Sequence, residues 1–178
     1  MGEISQTQMD AAERFADATI RDLQDERGVH AETAIAGTAR MAGTFLFRSF
    51  GFPLADATPG LPVLSEQANE QGPRLMQILG GVLEQMGIVV DQEVISRPTD
   101  PENEPLLAFL ESQQRLEPEF EVIRTRFGLS LVEAADAAAI ATAMLIRQCS
   151  EVLDPSIAFG IALYGFVEGT KTFPSPMS

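Results

Sequence analysis

The sequence predicts an all-α fold, a single-domain bundle of about six helices, and three observations support it. Apolar residues recur every three to four positions along most of the chain, which is the period of an amphipathic helix. Ser, Thr or Asp precedes several of these stretches and Gly or Pro follows them, as at helix ends. The segment IVVDQEVIS (88–96) is the one strand-like run and has no evident pairing partner, so we expect it to be extended or a short helix.

The first two helices are predicted to form an antiparallel hairpin. Ser5 and Gln8 have the spacing of a capping box, and Gly28 can provide a left-handed stop, so the first helix is expected over 5–27. The second helix is expected over 30–50. Because the connection between them is short, the two helices should lie side by side.

Prolines predict breaks in the middle of the chain. The segment FPLADATPGLPVL (52–64) contains three prolines and is predicted to be a long, ordered Pro-rich loop after the second helix. A short helical piece begins at Ser65 and is expected to stop at Gly72 and Pro73. A clear amphipathic helix is then expected over 74–86.

The second half of the chain is predicted to be helical as well. A polar loop over 98–104 precedes a helix expected over 105–116, and Pro118 suits the first position of a new helix. Residues 1–178 should form one domain. The remaining expected elements are a helix capped by Ser130 and Glu133, a last helix over 155–169 that Asp154 and Pro155 open, and an extended tail over 173–178.

Two helices, AETAIAGTARMAGTFLFRSF (31–50) and LVEAADAAAIATAMLIRQCS (131–150), are built largely from small residues. Small side chains let neighbouring backbones approach closely, and a helix that is apolar on most sides is usually buried. We therefore expect these helices at the centre of the structure. Their interiors contain the conspicuous charges Arg40 and Asp136, and a buried charge needs a partner. The prediction is an Arg40–Asp136 ion pair; the alternative is that Asp136 faces solvent.

The polar face of the second helix is the candidate ligand site. Thr33, Gly37, Arg40 and Thr44 recur at helical spacing and would line a groove. An arginine in such a groove can bind a carboxylate or a phosphate. The ligand-binding hypothesis therefore consists of Arg40 as anchor with Thr33, Thr44 and the neighbouring His30. For His30 the alternative is a helix cap or turn residue.

The residues of familiar catalytic and metal sites are mostly missing. His30 and Cys149 are the only histidine and cysteine, so neither a helical di-iron site nor the known zinc motifs can be built. Cys149 lies near the end of its helix, where the dipole disfavours a thiolate. The glycines and lysine of 165–172 lack the spacing of a phosphate loop. We expect no metal, no cofactor and no catalytic residue.

Composition limits the classes of partner. A net charge of −14 disfavours binding to nucleic acid or to an anionic membrane. A single cysteine permits no intramolecular disulfide, and no signal peptide or membrane-length apolar run is evident, so a cytoplasmic location is expected. The first functional hypothesis is a structural or interaction protein that forms a homodimer. The alternatives are a module that binds a small apolar or anionic molecule at Arg40, and an unrecognised enzyme.

Overall fold

The computed structural model describes residues 3–177, and within them the fold is all-α, as the sequence predicts. None of the helices in this range is by itself long and apolar enough to cross a bilayer, and the one pair that would pass by length and composition, Phe109–Arg126 with Leu131–Gln148, is bent by 116°. The helices are α1 (Gln6–Leu23), α2 (Ala31–Ser49), α3 (Glu66–Gln85), the single turn α4 (Gln92–Ile95), α5 (Phe109–Arg126), α6 (Leu131–Gln148) and α7 (Pro155–Thr170), with a 3-10 turn at Pro101–Asn103.

The two helices rich in small residues lie at the centre, which confirms the prediction. Residues 33–47 of α2 and 134–143 of α6 are buried on every side. Helix α2 packs mainly against α6 and α7 and also touches α1, α3 and α5. Since α2 and α6 have almost no free face, all of their small-residue surface is used inside this one chain.

Helices α2 and α7 approach so closely that their backbones touch. A Cβ atom built on Gly169 would lie 2.6 Å from the Cα of Gly43 and 2.8 Å from the backbone nitrogen of Thr44, far inside ordinary contact. A Cβ on Gly165 would lie 2.8 Å from that of Ala39. The glycines of α7 therefore set the distance between the two helices.

Two predicted breaks are absent. Pro73 lies inside α3 and Pro118 lies inside α5, although both were expected to interrupt or begin a helix. Each proline removes one backbone hydrogen bond, at about 3 kcal/mol in an isolated helix. Burial of apolar side chains on the same helices offsets this cost, since Leu75 and Leu79 follow Pro73 in the core and Leu116 and Phe120 flank Pro118.

The helix ends follow the local signals. The capping boxes at Ser5 and Ser130 are both formed, which confirms those predictions. Helix α1 ends at Leu23, earlier than the expected 27, because residues 25–28 form a tight turn. In that turn Gly28 has a φ of 98°, a conformation that favours glycine.

The loop after α2 and the C-terminal tail pair with each other. The backbone N–H of Gly60 donates to the carbonyl of Phe173 (2.8 Å), and the N–H of Phe173 donates to the carbonyl of Leu61 (2.9 Å). Further along, the N–H of Ser175 donates to the side-chain oxygen of Gln113 (3.0 Å). The Nη2 of Arg48 also donates to the carbonyl of Ser175 (2.7 Å), so the tail is held, as far as Ser175, against α5 and the end of α2.

Candidate functional site

Arg40 is buried in the interior, and its Nε and Nη1 atoms are hydrogen-bonded to other parts of the chain. Only 7% of it is exposed. Its Nε donates to Oε1 of Glu168 in α7 at 2.9 Å. Its Nη1 donates to the carbonyl of Leu107 at 2.8 Å and to the hydroxyl of Ser112 at 3.3 Å. The predicted pair with Asp136 is therefore wrong, because the acid that reaches Arg40 comes from α7 and not from α6.

Asp136 is paired with Arg74 of α3. The guanidinium donates from Nε to Oδ1 at 3.0 Å and from Nη2 to Oδ2 at 2.6 Å, a two-pronged contact. Asp136 is only 2% exposed, so the alternative in which it faces solvent is wrong too. Burial raises the pKa of Asp136, and the hydrogen bonds and charge of Arg74 act in the opposite direction. Arg74 was missed because it starts an amphipathic helix, where a charge normally faces water.

The polar residues of α2 do not line an open groove, because the segment before α5 covers Thr33 and Arg40. The hydroxyl of Thr33 accepts from the backbone N–H of Leu106 at 2.9 Å, next to the contact between Arg40 and Leu107. Thr44 is enclosed in the core. Neither Arg40 nor Thr44 lines the cavity between α1 and α2 or the cavity along α7. The polar face thus holds Leu106 and Leu107 in place.

A first cavity, the turn cavity, lies where α1 turns into α2 and has a volume of about 290 Å³. His30 lines it and caps α2, accepting at Nδ1 from the backbone N–H of Thr33 at 3.3 Å. The Nε2 of His30 lies 3.3 Å from a carboxylate oxygen of Glu32. Of the four predicted ligand residues, His30 and Thr33 line this cavity, and Arg40 and Thr44 do not. Its lining is Leu23, Asp25, Arg27, Gly28, Val29, His30, Thr33, Leu106, Leu107 and Arg115.

A second and larger cavity, the α7 groove, lies between α7 and the segment 94–103 and has a volume of about 580 Å³. One wall is apolar and belongs to the outer side of α7, where Tyr164 is 67% exposed. The facing wall combines Val94 and Ile95 with the polar end formed by Arg97, Thr99 and Asp100. A Cβ built on Gly160, midway along the α7 wall, would meet nothing within 4 Å. Sequence reasoning missed this groove because the residues on its two walls belong to distant segments.

The reactive groups of residues 3–177 form no cluster that binds a metal. No group of three or more His, Cys, Asp or Glu side chains in that range could hold a metal ion. Burial, and to a smaller degree the charge of Glu32, raises the pKa of the Cys149 thiol. The thiol is therefore protonated at neutral pH, and a protonated thiol is a weak nucleophile.

Comparison with models of known protein families, with curated proteins and with solved structures finds no match to this chain. What the protein does is therefore inferred from its own cavities and charges.

Proposed function

We propose that the protein is a small-molecule binding module and that the α7 groove is its binding site. The ligand has an apolar body that lies along α7 and an anionic end near Arg97. The volume of about 580 Å³ is within the range of small-molecule sites. The apolar wall of α7 includes Ile157, Leu163, Tyr164 and Val167, and burying such a surface is the main source of affinity.

The observation that carries the proposal is Gly160. A glycine inside a helix lowers helix stability by about 1 kcal/mol relative to alanine. Gly165 and Gly169 on the inner side of the same helix are needed for close packing, but a side chain at Gly160 would meet open space. The absence of a side chain at Gly160 leaves the groove open along its α7 wall. Gly81 of α3 is equally free of neighbours but lines neither cavity, which makes it a matched control.

The charge at the polar end supports an anionic group on the ligand. Arg97 is exposed and has no carboxylate within 4.0 Å among the residues that the structure describes. A guanidinium can bind a carboxylate or sulfonate through two parallel hydrogen bonds. The negative charge of Asp100 at the same end limits the charge of the ligand, since it repels ligands with several negative charges.

The test is a fluorescence titration with anilinonaphthalene sulfonate, which has an apolar ring system and one anionic group. Wild type should bind it saturably, and Gly160→Leu should weaken binding by roughly tenfold, about 1.4 kcal/mol. Gly81→Leu should bind as wild type does. Arg97→Gln should weaken binding of the probe, whereas Arg126→Gln, an exposed arginine at the end of α5, should not. Equal binding by Gly160→Leu and wild type would remove the groove as the site.

Self-association is the second candidate, and the exposed apolar side of α7 favours it. The small-residue faces that suggested a homodimer are enclosed within the chain. Tyr164 and Val167 nevertheless leave apolar surface uncovered on α7. The homodimer remains a prediction, which a mass by light scattering decides. A dimer that Gly160→Leu dissociates would mean that a second copy, and not a small molecule, covers the groove.

A further inference from the structure

We propose that the turn cavity is a separate site for a small oxyanion, a phosphate or a carboxylate, held by Arg27 and Arg115. Both arginines line the cavity, one from the turn after α1 and the other from α5. The site is independent of the α7 groove, with which it shares no lining residue. Its recognition rests on charge, whereas that of the groove rests mainly on apolar surface.

The cavity is lined by two arginines and one carboxylate, in a protein that is strongly acidic. The chain has a net charge of −14, with 26 acids available to pair with 12 bases. Even so, neither Arg27 nor Arg115 has a carboxylate within 4.0 Å in the range 3–177, whereas Arg40, Arg48 and Arg74 each have one. Two unpaired guanidinium groups at one cavity attract an anion there.

The turn after α1 fixes the backbone at Arg27. Asp25 and Gly28 exchange two backbone hydrogen bonds of 3.0 Å each, which closes the turn around it. Asp25 is the one carboxylate that lines the cavity, and its Oδ1 accepts from the backbone N–H of Arg27 at 2.8 Å. That carboxylate therefore stabilises the turn, while the guanidinium of Arg27 remains without an acidic partner among the described residues.

The cavity is small, and part of its wall is apolar. About 290 Å³ suits a small molecule and excludes a large cofactor. Leu23, Val29 and Leu107 supply apolar wall beside the two arginines. Guanidinium groups bind phosphate and carboxylate oxygens through charge-assisted hydrogen bonds. A compact apolar group that carries such an oxyanion matches both parts of the lining.

The experiment titrates the full chain with inorganic phosphate, phenyl phosphate and benzoate, followed by the NMR signals of the arginine Nε–H groups. The signals of Arg27 and Arg115 should shift, and phenyl phosphate should bind more tightly than inorganic phosphate because its ring contacts the apolar wall. Benzoate separates a carboxylate site from a phosphate site. Absence of any shift in both signals with all three probes would overturn the proposal.

Variants separate a binding role from a structural one. Arg27→Gln and Arg115→Gln should each weaken phenyl phosphate binding at least fivefold, and Arg27→Lys should restore part of the loss because it keeps the charge. Arg126→Gln on the same helix as Arg115 is the control and should change binding less than twofold. Gly160→Leu should leave this binding unchanged, so failure of the groove proposal and failure of this one are distinguishable. A double Arg27→Gln, Arg115→Gln variant that is folded by circular dichroism and binds as wild type does would refute the site.

Discussion

Replacing Gly169 by alanine should destabilise the protein, although alanine is the better helix former. The added Cβ would lie 2.6 Å from the Cα of Gly43, whereas ordinary contact begins at 3.4 Å, and it would lie closer still to the carbonyl oxygen of Arg40. Helices α2 and α7 would have to separate by roughly 1 Å. Because the obstructing atoms are backbone atoms, we expect a cost of about 3 kcal/mol, the upper end of the usual range for overpacking. Helix propensity returns about 1 kcal/mol, which leaves a net loss of about 2 kcal/mol.

Urea unfolding followed by circular dichroism measures this difference, and the matched control is Gly81→Ala in α3. A Cβ at Gly81 meets nothing within 4 Å, so this substitution should raise the free energy of unfolding by up to about 1 kcal/mol. In a thermal melt the loss at Gly169 corresponds to a decrease in Tm of roughly 4–8 °C for a chain of this length. If Gly169→Ala were as stable as Gly81→Ala, the close approach of α2 and α7 would be refuted.

Three further predictions concern Asp136 and Cys149. Arg74→Met leaves the carboxylate of Asp136 buried without its cation and should lower the free energy of unfolding by about 3–5 kcal/mol, whereas adding Asp136→Leu should recover much of it. Because burial raises the pKa of Asp136, the stability linked to this group is present at acid pH and is lost as the pH rises through its folded-state pKa. That loss should be larger in Arg74→Met, and unfolding free energies that differ from wild type equally at every pH would contradict it. Cys149 should react with iodoacetamide at neutral pH more slowly than free cysteine, since its pKa is raised, and Glu32→Gln should speed the reaction; a rate equal to that of free cysteine would show the thiol to be unperturbed.

The parts of the fold that depend on local chemistry could be predicted from the sequence. The capping boxes at Ser5 and Ser130 involve residues three apart, so their spacing is visible directly. The predictions for Pro73 and Pro118 were wrong because they depend on contacts that are not local in the sequence. Whether a proline interrupts a helix depends on how much apolar surface the helix buries on either side of it, and that burial is a property of the assembled bundle.

The partners of the buried charges could not be predicted. The sequence shows that Arg40 needs an acid, but its partner Glu168 is 128 residues away, and the chain offers 26 acids. Small-residue composition placed Arg40 and Asp136 on neighbouring central helices correctly. It could not show that α3 and α7 each bring a closer opposite charge to them.

The two sides of helix α7 differ in packing, and this difference is the reason to expect ligand binding at the surface and not in the core. Its inner side is held against α2 by Gly165 and Gly169, where no larger residue fits, so substitution on that side alters stability first. Its outer side has Gly160 with open space and Tyr164 largely exposed, and substitution there alters the groove and leaves the core intact. The central helices α2 and α6 have no comparable outer side. A loss of ligand binding without a loss of stability is therefore expected only for residues of the groove or of the turn cavity, and a stability-neutral variant in the middle of α2 that abolished binding would contradict this division.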